Sequence, residues 1–129
     1  MSADLLPDTC AWIDFFRGKS TPLAAAVEQA LRDGRVVTCG VVLYELVQGI
    51  KHPAEEAALL NAFSAVPILE LSTELWIEAG GLSAKLRNQG HTLPLSDLLI
   101  AVLAKAHDTT VLTIDRHFAL VPDLRVVEG

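Results

Sequence analysis

Two hydrophobic periods alternate along this chain, one of two residues and one near 3.6. Short apolar runs read as strands: ADLLPDT ending near Asp8, then RVVTC, PILELS, TTVLTI and DLRVVE. Pro7 suits an edge or a strand end better than a strand middle. Between these runs, apolar residues recur every three or four positions. TPLAAAVEQALRDG is the clearest helix, with Thr21 as N-cap, Pro22 at the first helical position and Gly34 as terminator. CAWIDFFRG reads as a helix stopped by Gly18. GVVLYELVQGI has the composition of a strand, yet Leu43, Leu46, Val47 and Ile50 fall at helical spacing, which predicts a helix. PAEEAALLNAFSAV is a helix from Pro53, and TELWIEAGGLSAKLRNQG a long one, weakened by Gly80 and Gly81 and closed at Gly90.

Strands alternating with helices predict parallel βαβ units, hence an α/β fold with a mainly parallel sheet of four or five strands covered on both faces. The 129 residues fit one domain, 1–129, with no repeat or linker. In such sheets chemistry gathers beyond the carboxyl ends of the strands.

The most apolar helix, Leu98 to Ala106, is opened by an aspartate, Asp97. A carboxylate there is favoured by the helix dipole, with Ser96 as the expected N-cap, so a capping acid is one reading of Asp97. Three other acids bear on the choice. Asp8 ends the first strand and Asp115 the fourth, while Glu45 lies on the helix after the second strand. Each has an ordinary explanation: Asp8 and Asp115 as caps of the turns that follow, Glu45 as a solvated helix acid. Val41, Val42, Leu43, Leu46 and Val47 leave Glu45 little room to face water, however. All four acids can converge at one edge of the sheet, and a shared purpose accounts for them together.

Composition narrows that purpose. Hydrophobic residues make up 51% and charged ones 20%, with a mean hydropathy of +0.39, a richness that predicts apolar surface meant for a partner. No apolar run approaches the roughly 18 residues of a membrane span, and MSADLLPD lacks the basic start of a secretory signal. Cys10 and Cys39 have neither metal-ligand nor redox spacing, which fits reduced thiols in a cytoplasmic setting. The net charge of −6 excludes a protein that coats itself with nucleic acid through general electrostatics. It does not exclude one that reaches phosphates through bound cations; two divalent ions take −6 to −2.

Clustered carboxylates repel, and hard divalent cations supply the missing counter-charge. Mg²⁺ and Mn²⁺ both suit oxygen ligands, and can activate water while neutralising a phosphate. His52, His91, His107 and His117 are scattered, without zinc-like spacing.

Four stretches now carry a family likeness: LLPDTCAWIDFF, VVLYELVQG, RNQG, and LPLSDLLIAVLAKAHDTTVLTIDRHF, the last being the most specific. Covering nearly the whole length in order, they make the chain resemble the PIN-domain ribonucleases, and specifically the VapC toxins of type II toxin–antitoxin pairs. The resemblance implies an α/β/α sandwich, Mg²⁺- or Mn²⁺-dependent endonucleolytic cleavage of RNA, and inhibition by a cognate antitoxin. The family's acids map onto Asp8, Glu45, Asp97 and Asp115, and Thr113 matches a supporting hydroxyl position. One departure stands at His117, where many relatives carry a second aspartate; this leaves His117 as a candidate substrate contact.

Two partner surfaces are expected. An inhibitor would lay an amphipathic helix against Trp12, Phe15, Phe16, Leu46, Val47 and Ile50. The apolar excess, with the resemblance, predicts a homodimer. Two rival classes are a non-catalytic PIN-like binding module, which has no need of four acids, and a haloacid-dehalogenase-like phosphatase, which needs an acid where Cys10 stands.

Overall fold

A computed structural model describes residues 4–128. The elements follow the alternation of periods: β1 (Leu5–Pro7), α1 (Thr9–Phe16), α2 (Pro22–Arg32), β2 (Thr38–Cys39), α3 (Gly40–Gln48), α4 (Pro53–Phe63), β3 (Ile68–Leu69), α5 (Thr73–Asn88), α6 (Leu95–Ala106), β4 (Thr110–Leu112), a 3₁₀ turn (Arg116–Leu120) and β5 (Val126–Val127). All strand pairs are parallel. The expected single sheet of four or five strands needs correction. One sheet has three strands, in the order β1-β4-β5, and β2-β3 forms a separate pair. A lone bridge between Leu5 and Val36 joins the two, through Leu5 N–H to Arg35 O at 2.7 Å and Val37 N–H to Leu5 O at 2.9 Å. The RVVTC run therefore spends only its last residues in regular pairing. Pro7, which has no N–H to donate, closes β1 opposite Leu112.

Local chemistry explains the helix ends. Thr21 caps α2 by accepting from Ala24 N–H, and Pro22 occupies the first turn. Gly34 follows with φ +66° and Gly90 with φ +86°, backbone values that favour glycine and stop each helix. The run GVVLYELVQ is helical, as its spacing predicts, with Val42 and Leu46 buried. Gly80 and Gly81 do not interrupt α5. The expected cap at Ser96 is wrong: α6 starts two residues earlier, at Leu95, Pro94 takes the cap position, and no side chain caps there. Proline's fixed φ and extended backbone start the helix instead. Asp97 is thereby the third residue of the helix and not its first, still within the first turn.

Seven consecutive residues of α6, Leu98 to Ala104, are buried. They pack in one core with Leu6, Trp12, Val42, Val111, Leu112 and Phe118, apart from Ala79, Leu99 and Val102, which form a small cluster under α5. Helix α1 packs on α2 and α5 on α6, while α3 touches both α1 and α6. Trp12 and Leu46 are core residues, whereas Phe16 and Val47 remain exposed. Among the described residues no helix is long and apolar enough to cross a membrane.

Candidate active site

The parallel strands all deliver their carboxyl ends to one edge, and the acids follow them there. Asp8 leaves β1 beside β4, its N–H donating to Leu112 O at 3.0 Å. Its carboxylate caps α1, with Oδ1 accepting from Ala11 N–H at 3.2 Å and from the Cys10 thiol. Oδ2 accepts from the Thr113 hydroxyl. Only 7% exposed, Asp8 has its pKa raised by burial, against the lowering effect of the Cys10, Thr113 and Ala11 donors; Asp115 adds repulsion. Burial and the bond to Asp8 push the Cys10 thiol up to about 11, so Cys10 stays a donor at neutral pH.

Thr113 ties two acids together. While its hydroxyl donates to Asp8, it accepts from Asp115 N–H at 2.9 Å. Asp115 then caps the 3₁₀ turn through Oδ1, which accepts from His117 N–H at 2.9 Å. That turn brings the His117 ring inward. Nδ1 lies 3.1 Å from Asp97 Oδ2 and 3.2 Å from Asp115 Oδ1. One ligand atom each from Asp97, Asp115 and His117 lie within 4.8 Å of one another. The Asp97 side chain is 13% exposed, and its pKa is raised by burial; the His117 bond opposes this, while Asp115 and Asp8 add repulsion. Asp97 makes no capping bond to the backbone of α6 among the described residues. Its partner is His117.

Glu45 arrives differently. Oε1 accepts from the Thr9 hydroxyl at 2.6 Å, and Thr9 is the residue after Asp8, so α3 is fastened to the start of α1. Glu45 lies outside the compact Asp97–Asp115–His117 group. It faces an open cavity of about 670 Å³, whose walls include Val41, Tyr44, Leu71, Trp76 and Leu95. The structure thus gathers Asp97 and Asp115 directly, couples Asp8 to both, and reaches Glu45 through one hydroxyl.

Two contributions escaped the sequence. Thr9 and Cys10 each hold an acid, Glu45 and Asp8 respectively. The Cys10 bond has a local signal, two residues after a strand-ending aspartate; the Thr9 bond spans 36 positions and has none. The sequence makes His117 a candidate substrate contact only, yet its Nδ1 lies against two acids.

Residues 5–124 match the PIN domain. Ribonuclease VapC19 of Mycobacterium tuberculosis is 30% identical over 122 residues, 93% of this chain and 96% of that protein. Ribonuclease VapC11 of the same organism is 26% identical, across 91% and 90% of the two chains. Among solved structures, VapBC2 from Rickettsia felis, bound to a promoter DNA fragment, has a TM-score of 0.78 at 22% identity, covering 95% of this chain and 96% of that one. A toxin–antitoxin complex from Klebsiella pneumoniae has a TM-score of 0.69 at 28% identity, with coverages of 98% and 96%. Matched over residues 5–124, and 30% identical to a VapC ribonuclease, this chain belongs to the PIN-domain family, among the VapC ribonucleases.

Proposed function

We propose that residues 1–129 form one PIN-like domain that cleaves RNA endonucleolytically with Mg²⁺ or Mn²⁺, as the toxin of a type II pair. The observation that carries this reading is the meeting of Asp97 and Asp115 within reach of Asp8, three carboxylates from separate elements with no lysine or arginine paired to them among the described residues. Burial and mutual repulsion raise the pKa of Asp8 and Asp97, the situation a cation relieves. The donors are hard oxygens, which fits a divalent ion of this class.

Asp8, Asp97 and Asp115 would hold the cation, with Glu45 closing the α3 side. When bound, the cation supplies positive charge against the scissile phosphate and acidifies a water for attack. The chain's own residues set the geometry. Thr113 and Cys10 fix both oxygens of Asp8, Thr9 orients Glu45, and the buried helix α6 gives Asp97 a rigid footing. A chain with a net charge of −6 needs such a cation to approach RNA.

The VapBC and toxin–antitoxin complexes among its structural relatives support an antitoxin partner. The exposed Phe16 and Val47, on α1 and α3, offer its amphipathic helix an apolar seat. Exposed Tyr44, Trp76, Ile77 and Leu95 supply apolar area for a homodimer. Asp8→Ala, Asp97→Ala and Asp115→Ala, assayed on an RNA panel, test the nuclease reading. Each is expected to abolish cleavage while circular dichroism stays native. Full activity in any of the three contradicts it.

A further inference from the structure

We propose that His117 is itself a ligand of the cation, through Nδ1, which makes the centre a mixed oxygen–nitrogen site that prefers Mn²⁺ to Mg²⁺. This rests on the metal-centre reading above. The three ligand atoms of Asp97, Asp115 and His117 come from α6, the turn after β4 and the 3₁₀ turn, and lie within 4.8 Å of one another. Nδ1 stands 3.1 Å from Asp97 Oδ2 and 3.2 Å from Asp115 Oδ1. Ligands about 2.1 Å from a cation, at neighbouring corners of an octahedron, are about 3.0 Å apart. The two separations are those of an octahedral edge.

The backbone holds the ring in this place. His117 N–H donates to Asp115 Oδ1 at 2.9 Å, so the same acid that would bind the cation also fixes the turn carrying the imidazole. The His117 side chain is 49% exposed, so when a cation takes the place of the proton that Nδ1 turns toward Asp97, water can meet the ring's remaining proton on Nε2. Carboxylates suit Mg²⁺ and Mn²⁺ alike. An imidazole nitrogen suits Mg²⁺ poorly, because that ion holds to oxygen ligands and water, whereas first-row transition ions accept both donor types. Of the two ions that suit the carboxylates, Mn²⁺ is therefore the one that gains from the imidazole.

The test uses Mn²⁺ alone on the full chain, with no RNA present. Pulsed electron paramagnetic resonance reports nitrogen coupled to bound Mn²⁺, and titration calorimetry compares Mn²⁺ with Mg²⁺. Wild type is expected to show an imidazole nitrogen coupling that His117→Gln lacks, with Mn²⁺ binding weakened about tenfold or more. His117→Asp is expected to restore binding but narrow the preference for Mn²⁺. If Mn²⁺ binds, is lost in Asp97→Asn, and shows no nitrogen coupling, His117 is not a ligand although the acidic centre stands. Coupling that survives in His117→Gln overturns the assignment too. If Asp97→Asn leaves Mn²⁺ affinity unchanged, or wild type binds no Mn²⁺, the metal centre and the role of His117 fall together.

Discussion

The hydroxyl of Thr113 donates to Asp8 Oδ2 across 105 positions of sequence, and Thr113 Oγ1 in turn accepts the N–H of Asp115. One buried hydroxyl thereby sets the spacing between two acids that follow adjacent strands. Serine or threonine can do this; valine has the same shape and no donor. Thr113→Val leaves Asp8 and Asp115 N–H each short of a partner in a site where Thr113 is 1% exposed. We expect a loss of about 1–3 kcal/mol in urea denaturation, and a fall in cleavage rate that Thr113→Ser restores. Wild-type stability and rate in Thr113→Val would show the bond to be incidental.

Asp97 separates a functional acid from a structural one. Its raised pKa, like that of Asp8, comes first from burial. A carboxyl whose native pKa lies above its unfolded value binds more protons folded than unfolded, so unfolding releases protons and stability falls as pH rises. In chelator, the protein should therefore lose stability between the ordinary carboxylate range, about 3.9 to 4.3, and the raised native values. Asp97→Asn should melt higher than wild type in EDTA at neutral pH, with the gap closing toward acid. Saturating Mn²⁺ should raise the wild-type melting temperature and shrink or reverse that gap, since ion binding adds stability by mass action. A difference indifferent to pH and metal would make Asp97 an ordinary helix acid.

Gly80 and Gly81 lie in the exposed middle of α5, and a Cβ at either meets nothing within 4 Å. Glycine there costs the helix backbone entropy and gains nothing from the space left open. Gly81→Ala should stabilise the fold by about 0.5–1 kcal/mol, read as a higher urea midpoint at unchanged slope, with cleavage intact. Destabilisation would mean that α5 needs its small residues for a contact with another chain.

Leu103 is fully buried in the core beneath the site, on the helix that carries Asp97. Leu103→Ala should cost about 2–5 kcal/mol by leaving a cavity in the footing of that helix. Urea denaturation measures it; a loss below about 1 kcal/mol would show that the core closes around the gap.

Much of this was legible from spacing. The helical recurrence of Leu43, Leu46 and Val47 overrode a strand-like composition in α3, because the period decides which face is buried. Strand-ending acids were visible because a parallel α/β fold sends every strand terminus to one edge. Other features depend on tertiary contacts. The strands are shorter than their apolar runs, since pairing rather than hydrophobicity bounds a strand: β2 keeps two residues of RVVTC, and Val36 makes only the bridge to Leu5. Ser96 looked like a cap, yet Pro94 starts α6 with no side-chain bond at all. The inward His117 ring follows from the 3₁₀ turn and the Asp115 bond, neither of which has a periodic signature.

The most direct measurement is RNA cleavage by purified protein, stripped with EDTA and then titrated with Mn²⁺ or Mg²⁺. The account predicts no cleavage in chelator, recovery on adding either ion, and no recovery in Asp97→Asn at any concentration of ion that saturates wild type. Cleavage that persists at wild-type rate in EDTA, or that Asp97→Asn retains, would contradict it.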